Sequence, residues 1–159
     1  MKKAVVALYV RNFVFGVEDS LVSTVGVLSG AVVAGVERDT IFLIGVVLVF
    51  VEAFSMAVGS FLSEYSVEDY LRQAEVSPKR SIAGGVVMFG SYLVSGFLPL
   101  FPYLWFPTEY AFPLSIAFAL GALFFLGVAG ARIAHIRVWR NALRTLLVGA
   151  IAVAVGIFV

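Results

Sequence analysis

The sequence contains no cysteine, which excludes disulfides, thiolate metal sites, thiol nucleophiles and lipidated cysteines. It has a single histidine, His135, set among arginines in Arg132-Ile-Ala-His135-Ile-Arg137. Neither a histidine-based zinc site nor a Ser/His/Asp triad has enough to draw on. Charge is scarce as well: 13% of residues are Asp, Glu, Lys or Arg, and a net charge of +1 offers no basic surface for nucleic acid. With no nucleophile and base set in view, the chain does not read as an enzyme, and nothing in it calls for a cofactor.

What is abundant is apolar. Of 159 residues, 62% are hydrophobic, more than a water-soluble domain of this size could cover with polar surface. A bilayer core of about 30 Å needs about 20 helical residues, and five segments meet or approach that length. They run over about 12–36, 40–62, 81–106, 110–131 and 141–159. The second is expected to continue helically to about 76, because Glu68 with Arg72 and Glu75 with Lys79 are i,i+4 pairs of favourable order. The expectation is an all-α integral membrane protein with five transmembrane helices, residues 1–159 forming one transmembrane domain.

Lysine and arginine in short loops are retained on the cytoplasmic side. Ten of the eleven basic residues precede the first span or lie between spans two and three or four and five, and only Arg38 falls on the other side. This places the N-terminus in the cytoplasm and the C-terminus opposite. Lys2 and Lys3 before an apolar run resemble a secretory leader, but the run lacks a small-residue cleavage site and is long enough to span. Tyr103, Trp105 and Tyr110 near the outer ends, with Tyr9, Tyr65, Tyr70 and Trp139 near the inner ends, are placed for aromatic belts. Asp39-Thr40 and Thr108-Glu109 are candidate helix caps, and Pro99, Pro102, Pro107 and Pro113 predict a broken or tightly bent hairpin.

Ionisable residues inside a bilayer are costly and are functional-site hypotheses by default. Glu18, Asp19 and Glu52 qualify. If the first helix enters near Phe13, Asp19 lies roughly 9 Å deep at 1.5 Å per residue, level with Met56 on an antiparallel second helix. Glu52 is one turn further in on the face of Met56. Carboxylates suit divalent cations, a thioether favours a transition metal over Mg²⁺ or Ca²⁺, and the same carboxylates can carry protons when no metal is bound. The plainer alternative is that these acids are protonated packing elements and Met56 is core filler. Glu64 and Glu68 are a possible cytoplasmic entrance for cations, although a solvated helix face paired with Arg72 and Lys79 is the simpler reading. Gly26, Gly30 and Ala34, with Ala53, Ala57 and Gly59, permit close helix contact within the chain or at a dimer seam.

Several stretches resemble the vacuolar iron transporter family of Fe²⁺/Mn²⁺ transporters. Phe15-Gly16-Val17-Glu18-Asp19-Ser20-Leu21 is similar to the family's Gly-x-x-Asp-Gly-Leu motif, and Ser55-Met56-Ala57-Val58-Gly59-Ser60-Phe61-Leu62 to its Ser-Met-x-x-Gly-x-Tyr-Leu stretch. Gly96-Phe97-Leu98-Pro99-Leu100-Phe101-Pro102-Tyr103 resembles the Pro-Leu-x-Pro-Tyr end of its third helix, and Leu123-Phe124-Phe125-Leu126-Gly127 its C-terminal part. The resemblance implies that Asp19 and Met56 line an ion pathway at a homodimer interface. It also implies movement of Fe²⁺ or Mn²⁺, as substrate, out of the cytoplasm in exchange for protons. The sequence departs from the pattern in three places: a short bridge replaces the glutamate-rich metal-gathering insertion between helices two and three, Ser20 stands where the motif has glycine, and Glu52 where a small residue is expected.

The expected protein is therefore a multi-pass homodimeric metal transporter of a prokaryotic-type cytoplasmic membrane, with divalent metal ions and protons as partners and Asp19, Glu52, Met56 and Glu18 as metal-site residues. The alternative is a non-transporting membrane scaffold or assembly subunit whose buried acids only pair helices.

Overall fold

The computed structural model describes residues 2–72, 77–133 and 136–158, with the side chains of residues 2–4 excepted. Among the described residues there are six helices and no strand: α1 (Lys2–Val33), α2 (Arg38–Arg72), α3 (Lys79–Leu100), α4 (Pro102–Trp105), α5 (Thr108–Ile133) and α6 (Val138–Phe158). All except the single-turn α4 are long and apolar enough to cross a membrane, so the five expected spans are present. Exposed apolar side chains such as Leu43, Val47, Phe50, Val51 and Phe54 on α2 form a face suited to lipid, while Ile41, Gly45, Val49 and Ala53 on the same helix are buried at every fourth position.

Two helices overrun the bilayer. The 35 residues of α2 rise about 52 Å and the 32 of α1 about 48 Å, against a hydrocarbon core of about 30 Å. The sequence reading starts the first helix near Asn12, but the helix begins ten residues earlier, because Lys2 to Arg11 contains no glycine or proline to stop it. The end of α1 is set by Gly35, whose φ of 74° is left-handed. Val36 N–H reaches Ala31 O at 3.1 Å and Gly35 N–H reaches Val32 O at 3.0 Å, a Schellman arrangement that satisfies the last carbonyls.

The proline-rich segment breaks as expected. Phe101 ends α3 and starts α4 at once, and Pro107 precedes α5. Asp39 and Glu109 sit inside the first turns of α2 and α5, so the expected caps Asp39-Thr40 and Thr108-Glu109 fall within the helices rather than at their cap positions. Tyr103 is not part of an interfacial belt: it is 2% exposed and packs with Leu28, Ile41, Val49, Leu100 and Ala111. The break after α3 turns its ring inward, whereas Trp105, Tyr110 and Trp139 do face outward.

Close backbone approach fastens the bundle. α3 packs against both α1 and α2, and α6 against α1 and α5. A Cβ on Gly30 would stand 2.7 Å from the Gly156 carbonyl oxygen, and one on Gly26 would stand 3.3 Å from that of Ala152. Gly26 and Gly30 thus serve an internal α1–α6 seam. On α5, Ala111, Ser115, Ala119, Leu123, Gly127 and Ala131 form a buried stripe. Asn141 Nδ2 donates to Gly127 O at 2.8 Å and Thr145 Oγ1 to Leu123 O at 3.1 Å, pinning α6 against that stripe.

Candidate functional site

The acidic residues of the first two spans meet the elements around them in two layers. Glu18 and Met56 line a groove of about 720 Å³ between α1, α2 and α3, whose walls also include Asn12, Ser55, Ser60 and Met88. Asp19 and Glu52 are half-buried, and Ser23, one turn from Asp19 on α1, bonds the Tyr92 hydroxyl that also meets the Glu52 carboxylate. Successive residues on a helix point about 100° apart, so Glu18 and Asp19 present carboxylates to different surroundings. Depth alone groups Asp19, Glu52 and Met56. The bundle links the α1 turn after Asp19 to Glu52 through Ser23 and Tyr92, and puts Met56 in the groove with Glu18. Among the described residues of one chain, no three Asp, Glu, His or Cys side chains are arranged to hold a metal ion.

The residue that connects α3 to this acidic layer is Tyr92, which lies in a span without charge and so gives no ionisable residue to single out from sequence. Its hydroxyl donates to Glu52 Oε2, and Ser23 Oγ of α1 lies 2.7 Å from the same hydroxyl. Ser20 Oγ donates to Tyr92 O at 2.7 Å, and Gly96 lets α3 approach Ser20, since a Cβ there would lie 2.6 Å from that hydroxyl. Serines at 20 and 23, one helical turn apart, are the sign in the sequence of a polar face on α1 at this level.

A second polar node lies toward the basic end of the bundle. Glu64 Oε1 accepts from Asn12 Nδ2 at 2.7 Å, Arg11 Nη2 at 3.0 Å and Ser60 Oγ at 3.2 Å. Its side chain is only 8% exposed, and Gly84 makes the space, because a Cβ there would sit 2.5 Å from Glu64 Oε2. The expectation of a solvated face is therefore incorrect for Glu64: α1 and α3 extend far enough to cover the continuation of α2. Glu68 does pair with Arg72 at 2.7 Å, as its i,i+4 spacing predicts, and Arg80 approaches it at 3.9 Å. Glu75, the expected partner of Lys79, and His135 lie outside the described residues.

Five apolar helices, half-buried acidic side chains and a groove lined partly by polar residues define a multi-pass membrane protein with acidic residues among its spans. The chain belongs to the VIT family, whose model matches residues 10–84 and 72–159. It is similar to two rice (Oryza sativa subsp. japonica) proteins. One is vacuolar iron transporter 2, at 30% identity over 92 residues, which cover 57% of this chain and 37% of that protein. The other is vacuolar iron transporter 1, at 35% identity over 78 residues, which cover 48% of this chain and 31% of that protein. The matched segments thus span about a third of the length of these relatives.

Proposed function

We propose that the protein transports a divalent transition metal, Fe²⁺ or Mn²⁺, out of the cytoplasm in exchange for protons, as a homodimer in a prokaryotic-type cytoplasmic membrane. The observation that carries this reading is the placement of Asp19 and Glu52 inside an apolar bundle, beside a groove that offers Glu18 and the Met56 thioether. Adjacent carboxylates kept from bulk water repel one another, and a dication removes that repulsion; protons do the same when the metal leaves. A methionine sulfur among oxygen donors favours a transition metal. Among the described residues one chain brings no three such ligands together, and in this reading a second copy facing the groove completes the set.

Membership of the VIT family and similarity to two iron transporters support the substrate class. The ten basic residues of the termini and loops support the orientation, with the N-terminus and the Glu64 node facing the cytoplasm. The test is purified protein in liposomes carrying a pH gradient. Fe²⁺ or Mn²⁺ flux that collapses with the gradient is expected, and an absence of flux for every divalent ion overturns the proposal. The Tyr92–Glu52 hydrogen bond favours a second reading, a scaffold in which the acids only tie helices together. That reading expects Asp19→Asn to alter stability without any metal-dependent phenotype.

A further inference from the structure

Tyr92 is wholly buried at the middle of α3, and its polar contacts hold it from two directions. A phenol has one proton to give. That proton goes to Glu52 Oε2, so the Ser23 hydroxyl 2.7 Å away is the donor to the phenol oxygen. The main chain is tied as well: Ser20 Oγ donates to the Tyr92 carbonyl at 2.7 Å and Ser95 Oγ at 3.3 Å. A ring with no exposed surface, its backbone and hydroxyl both bonded to α1, is held over the oxygen it covers. Glu52 Oε1 makes none of these bonds.

A carboxylate with one oxygen capped offers a metal the other. That restriction weighs unequally on different dications. Ca²⁺ collects six to eight oxygens at long, variable distances and often takes both oxygens of a carboxylate, whereas Mg²⁺ keeps a strict octahedron built from single oxygens. Mn²⁺ and Fe²⁺ accept mixed donors such as a thioether. Resting on the transport reading above, the geometry points to Tyr92 as a positioning residue that limits Glu52 to one-oxygen ligation and thereby sets the discrimination against Ca²⁺.

The experiment uses the full chain in liposomes, with Mn²⁺ flux measured while Ca²⁺ and, separately, Mg²⁺ are titrated in as competitors. Wild type, Tyr92→Phe and Ser23→Ala are compared, each scaled to its own KM for Mn²⁺. Tyr92→Phe is expected to lower the half-inhibiting Ca²⁺ concentration by about ten-fold while that for Mg²⁺ changes by less than about two-fold, because only Ca²⁺ gains from a second carboxylate oxygen. Ser23→Ala, which loosens the phenol without touching Glu52, is expected to shift the Ca²⁺ value in the same direction by a smaller factor. It decides the matter alone if Tyr92→Phe does not fold. An unchanged ratio of Ca²⁺ to Mg²⁺ inhibition in the folded variants overturns the assignment, since general loosening of the site moves both ions together. Absence of Mn²⁺ flux in the wild type overturns instead the transport reading on which the assignment rests.

Discussion

Replacing Glu64 separates two accounts of what holds the basic end of the bundle together. If the Arg11 ion pair dominated, removing charge alone would be as damaging as removing the side chain. The exposures argue otherwise: the Arg11 side chain is 65% exposed and Glu64 8%, so the guanidinium keeps most of its hydration and the pair resembles a rim contact worth about 0.2–1 kcal/mol. The buried partner is Asn12, 1% exposed, whose amide has Glu64 Oε1 as acceptor at 2.7 Å. Glu64→Gln keeps an acceptor for Asn12 and Ser60, and a net loss of about 1 kcal/mol is expected as charge-assisted bonds become neutral ones and the burial cost of the charge is relieved. Glu64→Leu orphans the Asn12 amide and removes all three bonds, for an expected loss of about 3–4 kcal/mol. Reversible unfolding in mixed micelles as the fraction of SDS is raised measures both. The double variant Asn12→Leu/Glu64→Leu should recover part of the loss, because no buried donor is then stranded. Equal destabilisation by Glu64→Gln and Glu64→Leu would return the weight to the Arg11 ion pair and rule out the Asn12 bond as the main tie.

Other consequences are open to simpler measurement. A Gly30→Val protein should lose about 2 kcal/mol by the same unfolding assay, since even its Cβ would stand 2.7 Å from the Gly156 carbonyl oxygen. Gly85→Ala should melt below wild type because a Cβ there would meet Ala57 O at 2.9 Å, whereas Gly90→Ala, with open space around it, should gain up to about 1 kcal/mol from helix propensity. Orientation can be read from single cysteines, as the chain has none of its own. A membrane-impermeant maleimide added outside intact cells should label Glu37→Cys and spare Ser77→Cys, and the opposite pattern would reverse the assigned topology.

Hydropathy carries most of the fold, because each span is a long apolar run and length decides a span. The break at Pro99 to Pro107 is equally legible, since proline removes donors and cannot continue a helix. Features decided by neighbours are not. The Lys2 to Arg11 extension of α1 carries only the short apolar run of residues 4–10, cut off from the first span by Arg11 and Asn12, so span length does not announce it. The burial of Glu64 depends on α1 and α3 covering α2, and a single helix shows only an ordinary charged face. Tyr92 is scored by its ring, so its hydroxyl, which finds Glu52 and Ser23 only once three helices meet, leaves no periodic signature. The depth argument brings Asp19 level with Met56, but depth fixes one coordinate only. Rotation about the helix axis puts Glu18, one residue away, on the groove side with Met56.

Transition-metal flux through Asp19→Asn, set beside wild type in the same liposomes with matched protein and an imposed pH gradient, tests whether the acidic side chains among the spans carry the ion. The substitution keeps size and hydrogen-bonding capacity while deleting the charge. Wild-type Mn²⁺ or Fe²⁺ flux that falls at least ten-fold in the variant, with folding intact by the unfolding assay, is the predicted outcome. Flux equal to wild type would contradict it and leave the buried carboxylates as ties between helices.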